Sequence, residues 1–408
     1  MMLDPTAVRR QFPALTGNAV YFDNPGGTQV PQIVLDRITG YLTASNANAG
    51  GAFATSRASD AVVEQARNSV ARFLHASRPE EIVFGPNMTT LTLGLSRALG
   101  RSLLPGDEVV VTHLDHDANI SPWLHIAEDR GCIVRWLDFD VEDCTLRLDQ
   151  LDRLLSPRTR LVAVGYASNA VGTVNPVAEI VQRAHQAGAL CYVDAVQYAP
   201  HRPIDVQALD CDFLAVSAYK FFGPHLGALY GKHDHLTRLR AYKVRPASDV
   251  PPGKFETGTP TFENIVGTLG ALEYLAALGG GSEPERATLA KAMEAIHAYE
   301  RPLTLSLLER LERIPGVHVW GLTDPDRLDE RVPTVSFTLD GHAPREVAEE
   351  LAASGIHVWD GNFYALAVTE RLALESRGGL VRVGLVHYNT VEELDRFEHD
   401  LRRIATGG

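Results

Sequence analysis

In the stretch DFLAVSAYKFFGPHLGALYGK, Asp212 to Lys232, an apolar run from Phe213 to Ala218 is followed by Lys220, held between Tyr219 and Phe221. A lysine among aromatic residues at the end of a buried strand is desolvated. Desolvation favours the neutral amine, a nucleophile that can form a Schiff base with a carbonyl group. The same position also suits a lysine that snorkels along its stem to water. One predicted strand earlier, LCYVDAVQYAP puts Asp194 at the end of a second apolar run, in the crevice where open α/β sheets bind ligands. A buried carboxylate needs a cationic partner, and a protonated pyridine nitrogen is one. A Schiff-base lysine with an acidic pyridinium partner is the arrangement that makes pyridoxal phosphate an electron sink. The alternative for Asp194 is a helix N-cap.

Two further strand ends carry groups suited to such a ring. HLDHDANI places His116 after the strand EVVVT, where an imidazole can stack on a flat heteroaromatic face. YASNAVGTVNP places Asn169 just past another strand, where its amide can donate to a phenolate oxygen. Taken singly, His116 also reads as a loop residue and Asn169 as a turn former. A phosphate needs its own cradle. FGPNMTTLTLGL runs from a strand through a turn into a helix, so the backbone amides of Met88 and Thr89 and a threonine hydroxyl can face an anion at the helix start. Asn87 or Thr89 acting as an ordinary N-cap explains the same residues. Ser217, three residues before the lysine, offers another hydroxyl.

These groups need a sheet to align them. Between residues 80 and 230, EIVF, EVVVT, CIVRWLDF, RLVAVGYA, LCYVDA and DFLAVSA read as strands. Their nearly continuous apolarity fits a mostly parallel sheet buried on both faces. Helical patterns such as TTLTLGLSRAL and PVAEIVQRAHQAG lie between them, which makes the pattern α/β with crossover helices. After ALGGGSEPE the texture changes to a long helix, Ala287 to Glu312, then strands VPTVSFTL and LVRVGLV among helices, a smaller α+β domain. No GxGxxG or GxxxxGK[ST] loop occurs.

At 408 residues and 45% hydrophobic, the chain can build a large core and two domains. A net charge of -13, spread along the sequence, argues against nucleic-acid binding. With no apolar run near the ~20 residues of a membrane helix and no signal core, a cytoplasmic protein without a membrane partner is expected. Cys132, Cys144, Cys191 and Cys211 lack metal-ligand spacing and have core-like contexts. A zinc enzyme built on some of the 15 histidines ranks last, since HLDHDAN has no third ligand nearby; no metal is expected.

With Asn87 to Thr90, His116, Asn169, DAVQ and SAYK in this order, the chain resembles fold-type I pyridoxal phosphate enzymes of the class V aminotransferase group. The branch it is most similar to is cysteine desulfurase-like, from YFDNPGGTQVP through VRVGLVHYNTVEELDRF. The resemblance implies that Lys220 holds the cofactor aldehyde and moves the substrate α-proton. It pairs Asp194 with the ring nitrogen, sets Gln197 and Asn169 on the ring hydroxyl side, and stacks His116 on the ring. Tyr219 stands where related desulfurases have a phosphate-binding histidine. Thr259, in FETGTP, matches a segment that reaches a neighbouring subunit's site, so the resemblance implies a homodimer with active sites at the interface. Arg382 matches the arginine that grips an amino acid's α-carboxylate, and Asn24, Gly26 and Gly27 match the segment that closes on it. The implied organisation is an N-terminal segment, 1–20, packed with the small domain; a large cofactor-binding domain, 21–275; and a small domain, 276–408.

One departure bears on function. A desulfurase passes sulfur to a loop cysteine, because the thiolate is the nucleophile. The corresponding loop, DGNFYALAVTERLALESRGG, has none; Tyr364 takes the nucleophile's place and Trp359 replaces a second arginine. The expectation is therefore a carbon–sulfur lyase or desulfurase-type β-elimination on cysteine or a cysteine derivative. Phe363, Tyr364 and Trp359 suggest an aromatic pocket for a substrate longer than cysteine. Transamination or racemisation of a small amino acid, and a non-catalytic binding homologue, are the alternatives.

Overall fold

The computed structural model describes residues 3–407; Met1 and Met2 of the expected N-terminal segment, and Gly408, lie outside them. Seven strands form the main sheet: β1 (Ile82–Gly85), β2 (Glu108–Thr112), β3 (Ile133–Leu137), β4 (Thr159–Gly165), β5 (Leu190–Asp194), β6 (Phe213–Ser217) and β7 (Gly227–Gly231). Their spatial order is β1-β7-β6-β5-β4-β2-β3, and β7 alone runs against the rest. The architecture is thus α/β with a mostly parallel sheet, as the apolar runs predict.

Side chains alternate between faces along each strand, so a central strand that is apolar throughout needs a core on both sides. That is what forms. Val110, Val162, Val164, Val193, Leu214 and Val216 join one buried cluster. Val109, Val111, Leu161, Ala163, Tyr192, Phe213 and Ala215 join the other, with Leu91, Leu95 and Leu99 of the helix Met88–Gly100 and Trp123 and Ile126 of the helix Ser121–Arg130. The edge strand β3 is only half-buried and carries Arg135, which pairs with Glu108 at 2.8 Å. β7 escapes sequence reading because GALYG has glycine at both ends, and glycine weakens the strand signal.

A second sheet is antiparallel, with β8 (Val317–Trp320), β9 (Thr334–Leu339), β10 (Trp359–Gly361) and β11 (Leu380–Gly384) in the order β10-β11-β9-β8. Its core holds Val335, Phe337, Val381 and Val383 with Leu394, Phe397 and Leu401 of the C-terminal helix. The helix Arg286–Glu312 ties the two cores together. Its first half places Leu289, Met293 and Ile296 in the main-sheet core, and its second half places Leu303, Leu307 and Leu311 in the smaller one, with Pro302 between. Near the N-terminus, Val8, Phe12 and Leu15 enter the main-sheet core, while Arg9 pairs with Glu393 at 2.7 Å. No helix among the described residues is long and apolar enough to cross a membrane.

Candidate active site

The parallel strands deliver their carboxyl ends to one edge. β1 ends before Asn87, β2 before His116, β4 before Asn169, β5 on Asp194 and β6 just before Lys220. Beyond this edge lies a cavity of about 870 Å³. Asn87, Met88, Thr89, His116, Asn169, Asp194, Gln197, Ser217, Tyr219 and Lys220 line it from the main sheet, and Trp359, Phe363, Tyr364 and Arg382 from the smaller sheet and its loop.

Lys220 turns inward, in the short turn Ala218–Lys220. Its Nζ donates to the Pro25 carbonyl and lies 4.6 Å from the centre of the Tyr219 ring, so the snorkelling alternative is not adopted. Burial first, and the Arg382 charge second, pull the amine down to about 7, while Asp23 and Asp194 act the other way. At neutral pH a substantial share of this amine is unprotonated and nucleophilic. Burial also raises the Asp194 carboxyl to about 6, opposed by the Val196 amide and the Lys220 charge. Asp194 Oδ1 accepts from Val196 N at 2.9 Å, so the capping geometry and the exposure to the cavity coexist. Desolvation, Lys220 and Arg382 lower His116 to about 4, leaving a neutral imidazole whose Nδ1 accepts from Ala118 N at 3.0 Å.

The cavity has a built anion end. Asn87 Oδ1 caps the helix Met88–Gly100 by accepting from Thr90 N at 2.8 Å, and Met88 and Thr89, its first residues, line the cavity. A Cβ on Gly227 would lie 2.4 Å from the Asn87 carbonyl carbon, so only glycine lets β7 pass this turn. The smaller sheet contributes an arginine. Arg382 on β11 is 4% exposed; Nη1 donates to Asn169 O at 3.0 Å and Nη2 to Asp23 Oδ1 at 3.1 Å, while its guanidinium carbon lies 4.3 Å from the centre of the Phe363 ring. Its Nε is buried with no partner in the protein, and so is Asn169 Oδ1.

Not every expected residue joins. Asn24 is buried beside the cavity rather than on its wall. Its Nδ2 donates to Tyr21 O, Gly384 O and Asn389 Oδ1, and its Oδ1 accepts from Tyr388, so both ends of the amide are engaged within the protein. Gly27 lies behind the wall, where a Cβ would come within 3.3 Å of the Tyr219 ring; Gly26 is the glycine that faces the cavity. Thr259 is exposed and does not line this chain's cavity. Gln197 lines the wall but donates Nε2 to Thr334 Oγ1 at 2.9 Å. Sequence reading misses Asp23, whose signal is an acid between strand-like YF and the turn NPGG. It also misses Asp115, raised by burial to about 7 while accepting from Thr112, Asn119 and Gly165 N. None of the four cysteines is on the cavity wall. Cys144, Cys191 and Cys211 are buried, and burial raises all three thiols, Cys144 and Cys211 to about 12.

A desolvated amine, a buried carboxylate on the same strand edge, an amide oxygen and a guanidinium nitrogen without partners, and a helix start at one end together fit pyridoxal phosphate and an amino acid. The comparisons with known proteins agree. A family model described as aminotransferase class-V matches residues 20–397. A probable cysteine desulfurase of Mycolicibacterium paratuberculosis is 38% identical over all of this chain, which spans only 59% of that relative's length. The aminotransferase-like protein FGM3 of Gibberella zeae is 37% identical, with 95% of each chain covered. A solved cysteine desulfurase from Thermococcus onnurineus superposes with a TM-score of 0.89 at 27% identity, with 100% of each chain covered. The chain belongs to the class-V aminotransferase family of fold-type I pyridoxal phosphate-dependent enzymes.

Proposed function

We propose that this chain cleaves the carbon–sulfur bond of cysteine or a cysteine derivative by desulfurase-like β-elimination, without a protein-borne sulfur acceptor. For cysteine the balance is cysteine and water in, pyruvate, ammonia and sulfide out. The observation that carries the reading is the loop at Asn362 to Ala365, which lines the cavity with Phe363 and Tyr364 while every cysteine lies elsewhere. Lys220, Asp194, His116, Asn169 and Arg382 of a desulfurase-like set are present, whereas Tyr219 and Trp359 stand in place of a histidine and an arginine. A thiolate that takes up sulfur has to be accessible and ionised, and the buried thiols of Cys144, Cys191 and Cys211 are neither.

On this reading the segment 21–275 is the cofactor-binding domain, and 276–408, joined by the N-terminal segment, supplies the substrate side. Lys220 Nζ holds the cofactor aldehyde. Asp194 faces the pyridine nitrogen, His116 stacks on the ring, and Asn169 and Gln197 lie on its hydroxyl side. The amides of Met88 and Thr89 hold the phosphate, with Asn87, Ser217, Tyr219 and a partner subunit's copy of Thr259 around it. When bound, the cofactor supplies an aldehyde that condenses with amines and a cationic ring that accepts the electron pair of a bond broken at the α-carbon. Arg382 orients the substrate through its carboxylate, in the fork geometry that suits arginine. Lys220 Nζ, near neutrality in proton affinity in the cofactor-free chain, takes the α-proton and passes it to the departing sulfur. Phe363 and Trp359 keep the side-chain end of the pocket apolar, which favours a thioether or disulfide conjugate over free cysteine.

A homodimer belongs to the same proposal. Tyr242, Val244 and Val250 are 52, 67 and 66% exposed, close in sequence to Thr259, and such apolar exposure marks an interaction surface. So does a cytoplasmic location, since four unpaired cysteines suit a reducing compartment. The deciding experiment gives purified holoenzyme cystine, a cysteine S-conjugate and cysteine, and assays pyruvate and sulfide. Pyruvate from at least one of them supports the reading; release of neither product from any of them ends it.

A further inference from the structure

Asp23 holds an unusual place in this site. It follows the short strand Val20–Tyr21, bridges the end of β11 at Gly384, and thereby stands beside Arg382 on the neighbouring strand. Its Oδ1 accepts from Arg382 Nη2 at 3.1 Å, and both residues line the cavity. The carboxylate is folded back over Gly26: a Cβ there would lie 2.3 Å from Oδ2 and 2.7 Å from Oδ1, so any larger residue would displace it. The acid is therefore seated, and its backbone is tied down by Gly26 N donating to Asp23 O at 3.0 Å.

Two basic groups share this seat. Arg382 contacts Asp23 directly, and Lys220 feels its charge. A carboxylate ligand arriving at Arg382 thus meets a guanidinium that is already neutralised, and meets a like charge on Asp23. Simple carboxylates are disfavoured on both counts. An amino acid differs, because its ammonium sits one carbon from its carboxylate. With the carboxylate on the unpartnered Nε edge of Arg382, the ammonium comes next to the acid that bonds the same guanidinium.

Resting on the proposed amino-acid substrate, we propose that Arg382 and Asp23 together read a zwitterion: Arg382 takes the α-carboxylate and Asp23 takes the α-ammonium as it enters. Asp23 is a specificity-determining residue that admits α-amino acids and rejects carboxylates lacking the amine.

The test compares wild-type holoenzyme with Asp23→Asn, using L-alanine and propionate, which differ only in the ammonium. Dissociation constants come from the cofactor's absorption, directly for alanine and by competition for propionate. The variant is expected to bind alanine about 10-fold more weakly, the loss of one charged hydrogen bond, and propionate equally well or more tightly. Changes of the same factor and sign for both ligands, or no change for alanine, overturn the proposal. Asp23→Ser, smaller and uncharged, carries the same expectation should the amide variant not fold. A wild-type protein whose absorption answers to neither alanine nor any cysteine derivative removes the amino-acid reading itself and this inference with it. A normal wild-type response with an unaltered variant removes the inference alone.

Discussion

The ring of Tyr364 lies over the imidazole of His116, with centroids 5.6 Å apart and planes 20° from parallel, and the Tyr364 carbonyl accepts from Asp117 N at 2.7 Å. One residue earlier, the Phe363 carbonyl accepts from Asn169 Nδ2 at 2.8 Å. The loop that in a desulfurase carries a nucleophile is here fastened to two strand ends of the main sheet. Phe363 and Tyr364 both have φ near 57°, the left-handed region that side chains seldom adopt, so these contacts hold the loop in a costly backbone.

Because Tyr364 is 75% exposed, removal of its side chain leaves the core intact. Tyr364→Ala is expected to keep the wild-type melting temperature within about 2 °C. It should lower kcat/KM about 3- to 10-fold, the value of one aromatic contact of ~0.5–1.5 kcal/mol. Steady-state kinetics beside a thermal melt separate the two; kinetics equal to wild type would remove Tyr364 from the site.

Lys220 gives a pH prediction whose sign follows from burial. Its folded proton affinity is lowered to about 7 from an ordinary value of 10.5. Between these values the unfolded chain binds a proton that the cofactor-free folded chain does not, so this group makes stability rise with pH across that window. Below about pH 7 the fold carries a buried ammonium at full cost. Cofactor-free Lys220→Met should therefore melt higher than cofactor-free wild type at pH 6, by roughly 2 °C or more, with the gap narrowing as pH climbs toward 10. A gap that is constant with pH would show that the amine is solvated.

Much of this site was legible in the chain because strand ends are legible. An apolar run that stops at a polar residue marks both a buried strand and the group that leaves it: one run stops on Asp194, and two others end a few residues before Asn169 and Lys220. What stayed hidden depends on contacts between distant segments. Asn24 reads as a ligand-facing residue, yet its amide closes a network with Gly384, Tyr388 and Asn389 that no local pattern announces. Asp23 is the reverse case: nothing local distinguishes it until β11 brings Arg382 alongside. Strand β7 gives a weak signal for a composition reason: Gly227 is needed where the chain skirts Asn87, and Gly231 where it packs on Leu236 and Phe213.

Asp194 should act on the ring through charge. In the cofactor-free chain burial raises its carboxyl to about 6, and a cationic ring beside it favours the ionised form. Asp194→Asn keeps the size and the acceptor for Val196 N but removes the anion. Turnover is expected to fall about 100-fold or more. A variant that retains within a few-fold of wild-type turnover would show that the ring needs no anionic partner here.

The cysteines offer a direct check on the proposal that no thiol of this chain accepts the sulfur. Cys132 is the one thiol that is not fully buried; it lies at the edge of β3, where Sγ donates to Leu104 O at 3.5 Å, and both burial and Asp107 raise it. A thiol so placed is a poor nucleophile, and it is no part of the cavity wall. Cys132→Ser is therefore expected to leave pyruvate and sulfide release within about 2-fold of wild type and stability within ~0.5 kcal/mol. Were the chain instead a desulfurase working through a thiol, Cys132 would be the most accessible candidate and its loss would abolish sulfide release. Product assays on this single variant, with a denaturant melt as the control for folding, distinguish an elimination carried by Lys220 from a transfer carried by a cysteine.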